Sequence, residues 1–281
     1  MAKTNGKTAL ITGSTDGVGR MVAERLGADG WRVLVHGRDR QRGDEVVTAI
    51  KKAGGTAEIL QADLSSLAEV RRLADAVCKA TDRLDLLINN AGIGGGGPHG
   101  VRQTSADGYE LRFAVNYLSG VLLTDLLLPL LRRSAPSRIV NVSSLGQQAI
   151  DFSDVMLTKD YNGLRAYRQS KLAQIMFTID LARSLAGTGV TVNALHPATF
   201  MNTKMVREFG TPMTTVAQGA DAIMKLAVSP ELDGKSGLYF NGQEEAIAIE
   251  QAYDADARYQ LWNLSREFVG LSTAKSAAAR R

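Results

Sequence analysis

The stretch "TALITGSTDGVGR", residues 8 to 20, decides the fold. Its apolar and β-branched opening, "TALIT", reads as a short buried strand, and a helical pattern starts at about residue 18. Between the two stand Gly13, Gly17 and Gly19, with Ser14, Thr15, Asp16 and Val18 in the gaps. Glycine at such a turn lets the backbone reverse tightly and approach a pyrophosphate, whose charge is favoured by the free amides of a helix N-terminus. A glycine triplet alone would be an ordinary turn. A strand, the glycines and a helix in this order form the pattern of a dinucleotide site.

The same alternation continues along the chain. Strands are expected at 8–12, 32–36, 57–61, 84–89, 138–143, 190–195 and 237–240, with helices at about 18–29, 41–53, 66–80, 109–132, 166–186 and 217–228. Near-continuous hydrophobicity in several strands implies burial on both faces. The expectation is an α/β, Rossmann-type doubly wound fold: a seven-stranded parallel sheet with helices on both faces. With no internal repeat and no long linker, residues 1–281 read as a single domain. Its core spans about 6–245, a helical extension about 250–272, and a frayed tail 273–281. The glycine-rich "AGIGGGGPHG", 91–100, reads as a flexible loop after strand four.

Composition narrows the function classes. The chain is 44% hydrophobic and 22% charged, with a net charge of +4 spread among 29 acidic residues, which argues against a nucleic-acid partner. The longest apolar run, "GVLLTDLLLPLL", is broken by Asp125 and Pro129 and reads as too short to span a bilayer. No signal peptide is apparent, so no membrane is expected and the protein should be soluble. Cys78 is the single cysteine, read as a core filler; a reducing, cytoplasmic setting is expected. His36, His99 and His196 are too dispersed for a metal site, and no metal is expected.

At the end of strand two, where an acidic side chain would hold a ribose 2′ hydroxyl, the sequence reads "VHGRDRQR". Arg38 suits a phosphate there through charge-assisted, forked hydrogen bonds. NADP(H) is therefore expected in preference to NAD(H), unless Asp39 rather than Arg38 faces the ribose. Arg40 or Arg42 is expected to be a solvated helix start.

In "AYRQSK", residues 166–171, Tyr167 and Lys171 lie one helical turn apart, both titrating near pH 10 when unperturbed. A single Tyr-x-x-x-Lys pair is a common coincidence. Taken in order with "TGSTDGVG" at 12–19, "NNAG" at 89–92, Asn116 in "AVNYLSG" and "VNVSS" at 140–144, it resembles the short-chain dehydrogenase/reductase family over about residues 6–245. "IDFSDV", "YNGLRAYRQSKLAQIMFT" and "VTVNALHPA" are closest to its retinol-dehydrogenase-like branch.

That resemblance implies roles. Tyr167 would be the general acid or base, with a phenol pKa lowered by cationic Lys171 and by the oxidised nicotinamide. Lys171 would also hold the nicotinamide ribose. Ser144, rather than its neighbour Ser143, would bond the substrate oxygen, and Asn116 would hold a water next to the lysine; the other reading of Asn116 is a helix asparagine facing solvent. Asp63 and Leu64 would flank the adenine, although Asp63 reads equally as a helix cap. Asn90, Ala91 and Gly92 would border the cofactor, as would Pro197 and Thr199, with Ala198 in place of the family's glycine. The threonine expected further on falls at Asn202 or, one late, at Thr203.

The resemblance also implies a homodimer or homotetramer paired through the helices at 109–132 and 166–186, the other reading of those apolar helices being core alone. The 23 residues from Ser144 to Tyr167 contain an insertion, read as a surface loop near the mouth of the site. The substrate is expected to be a small-molecule carbonyl or alcohol, and Phe152, Met156, Phe200, Met201, Met205 and Phe209 suggest that it is apolar and fairly bulky, the other reading of such residues being core. Two other readings stand beside this oxidoreductase: a non-catalytic NADP(H)-binding sensor or scaffold, and an epimerase or dehydratase using the same Tyr-Lys pair.

Overall fold

Strand residues of alternating direction sort the core into two layers. In a computed structural model describing residues 6–96, 100–207 and 210–271, Ala9 and Ile11 of β1 (Thr8–Ile11) and Val33 and Val35 of β2 (Arg32–Gly37) face one side. Leu10 and Leu34 face the other. On the first side lie α1 (Gly17–Ala28), α2 (Arg40–Lys52) and α8 (Val216–Val228); on the second lie α3 (Leu67–Ala80), α5 (Ser119–Arg133) and α6 (Gly163–Ser184). The remaining strands are β3 (Thr56–Gln61), β4 (Leu86–Asn89), β5 (Ser137–Val142), β6 (Val190–His196), β7 (Tyr239–Asn241) and β8 (Glu244–Ala246).

The sheet order is β3-β2-β1-β4-β5-β6-β7-β8. Chain direction across the sheet reverses between β1 and β4, which opens a crevice at the carboxyl ends of those strands. All pairs through β6–β7 are parallel, and β8 is antiparallel to β7. The sheet thus has one strand more than the seven expected. β8 carries exposed Glu244 and Glu245 and lacks the alternation that marks a strand; its hairpin register with β7 holds it in place.

The helix expected at 109–132 is interrupted. It begins as α4 (Leu111–Phe113), widens into a π-turn over Ala114–Leu118 and continues as α5. By length and composition Leu111–Arg133 is apolar enough to cross a membrane, which corrects the reading of that run as too short. Of its apolar window, 67% is buried inside the fold, as in a core helix. A short helix not foreseen, α7 (Lys204–Arg207), follows β6. Cys78 is exposed rather than buried: the core stripe of α3 is Val70, Leu73, Ala74 and Val77, and position 78 turns away from it.

The expected helical extension is α9 (Ala255–Phe268), which lies across α6 and the α4–α5 segment. Trp262 stacks on Phe177 with ring centroids 6.0 Å apart, a contact worth about 1 kcal/mol beyond its buried area. Tyr117 Oη and Ser265 Oγ are hydrogen-bonded at 2.8 Å, Arg258 Nε donates to Asp180 at 2.8 Å, and Arg266 pairs with Asp125 at 3.1 Å. The helices expected to pair between subunits therefore carry α9 on their outer side. The tail 273–281 lies outside the described residues.

Candidate active site

The glycine turn is held from behind by hydrogen bonds. Thr12 Oγ1 accepts from the amides of Asn90 and Ala91, both at 3.0 Å, while Asn90 Nδ2 donates to the carbonyls of Thr12 and Gly13. Gly13 has φ +64°, and a Cβ there would lie 2.8 Å from Ala91 Cα. A Cβ on Gly19 would overlap the Gly13 carbonyl oxygen and Asn90 Nδ2. Two backbones thus meet at a distance only glycine permits.

From this turn runs a cleft of about 1690 Å³, lined by Gly13, Thr15, Asp16, Gly17, Val18 and Gly19 at one end and by Ser144, Tyr167 and Lys171 at the other. Asp63, Leu64, Asn90, Ala91, Gly92, Pro197 and Thr199 also line it. Ser14 does not: it is fully buried, donates to the Ile11 carbonyl and accepts from the His36 amide, so it braces the turn from inside. The shape fits a dinucleotide, because the glycine cradle would be filled by any Cβ and leads directly to the Tyr-Lys pair.

At the far end of β2 the two adjacent side chains take different places. Arg38 lines the cleft, whereas Asp39 caps α2 by accepting from the Arg42 amide at 3.2 Å. Arg40 pairs outward with Asp44. Arg42 also lines the cleft, within 3.5 Å of Asp16 and 3.7 Å of Asp39. Asp63 is not the cap of α3, a role that Ser66 fills; its carboxylate accepts from the Ser65 amide at the cleft edge.

At the catalytic end, Tyr167 and Lys171 project from α6, whose N-cap is Asn162 and which starts earlier than the expected 166. Lys171 Nζ lies 5.7 Å from the Tyr167 ring centroid and donates to the Val142 carbonyl at 2.9 Å and to Gln174 Oε1 at 3.0 Å. Ser144 Oγ accepts from the Gly146 amide at 3.0 Å and lines the cleft with Tyr167. Ser143 is excluded from this role, since its hydroxyl is spent on the Lys171 carbonyl at 2.7 Å.

Asn116 sits in the π-turn, buried rather than solvent-facing. Its Oδ1 accepts from the Ile93 amide at 2.8 Å and its Nδ2 donates to the Ile93 carbonyl and to Ser170 Oγ. The side chain is thereby committed to protein, and it does not line the cleft. A Cβ on Gly92 would lie 3.3 Å from Asn116 Oδ1 and 3.6 Å from Lys171 Nζ, so the loop after β4, Asn116 and Lys171 are packed as one unit.

Three supporting residues were missed: Thr12, Gln174 and Tyr239, whose hydroxyl donates to the Ser144 carbonyl at 3.1 Å. Thr12 had a signal, a polar residue ending an apolar strand; the other two had none. Between Asn202 and Thr203 the structure selects Thr203, which lines the cleft and whose methyl would lie 3.5 Å from a Cβ on Gly17. Leu145, Leu164, Phe200, Met201 and Met205 line the cleft, Met201 while also packing against the core beside α1 and α8. Phe152 and Met156 do not; they pack against the core. Phe209 and His99 lie outside the described residues. The insertion is more than a surface loop, because Ile150, Val155 and Leu157 are buried.

Burial dominates the titration of the site. It pushes the Tyr167 phenol above its usual value, against the opposing effect of the Ser144 hydroxyl, and takes Lys171 from 10.5 down to about 7. In the chain without cofactor, desolvation is thus the larger effect on the phenol, and Lys171 is poised between its two protonation states near neutrality.

His36, whose Nδ1 accepts from the Gly13 amide at 3.1 Å, is lowered from 6.5 to about 4 by burial, and His196 is lowered to about 4 by burial and then by Lys171. Both folded-state values lie below the unfolded one, so the unfolded chain binds more protons between pH 6.5 and 4. Their stabilising contribution is complete above pH 6.5 and is lost as pH falls through 4. The melting temperature is expected to fall steadily over that window, and His36→Asn, which keeps an acceptor for Gly13, should flatten the slope. An unchanged slope would show that His36 is not buried neutral.

A doubly wound sheet with a glycine-cradled cleft ending on serine, tyrosine and lysine defines an oxidoreductase that uses a nicotinamide dinucleotide. Residues 7–213 match the family model described as short chain dehydrogenase, and the chain belongs to the short-chain dehydrogenase/reductase family. It is 38% identical over 295 residues to retinol dehydrogenase 14 of Mus musculus, covering 95% of this chain and 87% of that protein. Among solved structures, an uncharacterised protein from Mycobacterium paratuberculosis superposes with TM-score 0.78 at 28% identity, covering 95% and 94% of the two chains. The RhlG/NADP complex of Pseudomonas aeruginosa gives 0.66 at 29%, covering 84% and 94%. A 3-ketoacyl-(acyl-carrier-protein) reductase from Brucella melitensis complexed with NADH gives 0.68 at 26%, covering 84% and 96%.

Proposed function

We propose that the chain is an NADP(H)-dependent carbonyl reductase or, in the reverse direction, alcohol dehydrogenase, with Tyr167 as general acid and base and an apolar, fairly bulky substrate. The observation that carries this reading is the meeting of Ser144, Tyr167 and Lys171 in the cleft that starts at the glycine turn. A bound NADPH, cradled by the glycine turn, would supply the hydride for the carbonyl carbon. Ser144 Oγ and the Tyr167 hydroxyl hold the carbonyl oxygen between them, and Tyr167 gives it the proton as the alcohol forms. Lys171, anchored on Val142 and Gln174, would hold the nicotinamide ribose of a bound cofactor and restores the proton to the phenol; in the reverse direction the proton transfers run backwards. Asn116 acts as a positioning residue, tying the loop after β4 to the lysine.

NADP(H) is preferred in this reading because Arg38 faces the cleft while Asp39 is turned away as a cap. Arg38→Ala is expected to weaken NADPH binding by about 10-fold or more while changing NADH binding little; equal losses for both would remove the basis for the preference. We place the protein in a reducing, cytoplasmic setting, as its single, exposed cysteine suggests. Association through α5 and α6 would have to displace α9, so a homodimer or homotetramer of this chain would use another face.

The test is a substrate panel of carbonyls and alcohols followed at the NADPH absorbance, in both directions and repeated with NADH. Turnover of bulky apolar members supports the reading. NADPH binding with no turnover across the panel would favour the sensor, and isomerised or dehydrated product without net cofactor use would favour the epimerase or dehydratase.

A further inference from the structure

A buried cluster of charge stands behind the substrate end of the cleft, and the reaction above makes no use of it. Glu110 and Arg112 are 1% and 4% exposed, with Arg112 Nη1 3.6 Å from Glu110 Oε1. The Tyr161 hydroxyl bridges them, accepting from Arg112 Nη1 at 2.7 Å and donating to Glu110 Oε1 at 2.9 Å. Glu110 Oε2 accepts from the Phe113 amide at 2.7 Å, and Arg112 Nε donates to the Gly94 carbonyl at 3.0 Å. Burial, and then the nearby Glu110 carboxylate, keep the Tyr161 phenol protonated, so it remains a donor across the working pH range.

The cluster joins two walls of the cleft. One is the glycine loop after β4, of which Ile93, Gly94 and Gly95 line the cleft; the other is Tyr161 to Leu164, the end of the insertion and first turn of α6. They touch backbone to backbone: a Cβ on Gly163 would overlap the Gly95 carbonyl oxygen, and a Cβ on Gly95 would lie 3.1 Å from the Leu164 backbone. A Cβ on Gly96 would come within 2.5 Å of Arg112 Nη2. Tyr167 follows one helical turn after Gly163.

A buried ion pair is a poor source of stability, because desolvation offsets most of its attraction. It does restrict geometry, since few arrangements satisfy every donor and acceptor at once. We propose that Tyr161 is a positioning residue whose hydroxyl, seated between Arg112 and Glu110, locks the glycine loop against the start of α6 and so fixes the width of the substrate pocket. The proposal rests on the oxidoreductase reading only for its kinetic consequence: the chain selects its bulky apolar substrates by a wall held rigid from behind.

Tyr161→Phe keeps the ring and removes only the hydroxyl. With a bulky carbonyl that the parent protein reduces, KM is expected to rise about 10-fold with kcat within about 2-fold, and a small carbonyl should be affected less. NADPH affinity should not change. Amide hydrogen exchange at 94–96 and 163–164 should quicken, because the loop is no longer tied to Arg112 through the phenol. Gly163→Ala, whose methyl wedges the same walls apart at the Gly95 carbonyl while leaving the Tyr161 hydroxyl in place, should reproduce the KM pattern. If KM, substrate preference and exchange all match the parent, or if kcat falls equally for every substrate at constant KM, the proposal is wrong. Should the parent reduce no carbonyl, the oxidoreductase reading fails first, and the exchange rates alone decide: faster at both segments upholds the lock, unchanged refutes it.

Discussion

Tyr167→Phe is expected to lower kcat by about 10³-fold while leaving NADPH affinity within about 2-fold. The substitution keeps the ring packed under Lys171 and removes only the proton that the carbonyl oxygen must receive. The nearest other hydroxyl, on Ser144, already accepts from the Gly146 amide and lies at the pocket surface with no lysine behind it to restore a proton. Lys171 is held 2.9 Å from the Val142 carbonyl and 3.0 Å from Gln174, which keeps it beside the phenol. Steady-state rates with a bulky carbonyl, together with a fluorescence titration of NADPH, separate loss of chemistry from loss of cofactor. A Tyr167→Phe variant with undiminished turnover would remove the proton-transfer role altogether.

The second large effect is expected at the opposite end of the cleft. Gly19→Ala should weaken NADPH binding by about 100-fold, the upper end of what one added methyl does in a tightly packed site. The methyl would meet the Gly13 carbonyl oxygen, which belongs to backbone and cannot swing aside, and Asn90 Nδ2, which is already spent on Thr12 and Gly13. Relief requires the turn to open, and the turn is what presents amides to the pyrophosphate. Circular dichroism should show the fold retained, because Gly19 lies in the first turn of α1 and the sheet does not depend on it. A variant binding NADPH as tightly as the parent would mean that the pyrophosphate is held elsewhere.

Several residues were readable from their neighbours alone. Gly13, Gly17 and Gly19 announced themselves because no other residue serves between a buried strand and a helix at that spacing. Tyr167 and Lys171 gained meaning from the ordered company of "NNAG", Asn116 and "VNVSS". Others needed three dimensions. Whether Arg38 or Asp39 reaches the cleft turned on which of two adjacent side chains caps α2. Ser144 was separated from Ser143 by a hydrogen bond to the carbonyl of a residue 28 positions away. Ser14, placed among the cofactor contacts, turned inward as a brace, and Phe152 and Met156, placed at the substrate, turned to the core. Such pairs differ by direction rather than by chemistry, and a sequence carries no direction.

Local preferences and periodicity, acting over a few residues at a time, determined that this chain builds a doubly wound sheet, where its glycine turn falls, and that serine, tyrosine and lysine are present at a family's spacing. Tertiary structure decided what those preferences leave free: the added β8 strand, the π-turn that seats Asn116 on Ile93, the laying of α9 over α5 and α6, and the Glu110–Arg112–Tyr161 cluster behind the pocket. It also decided the proton affinity of Lys171, which depends on how many water molecules the packed chain excludes rather than on the residues beside it in sequence. Contacts between distant segments, and the desolvation they impose, exist only once the chain has closed on itself.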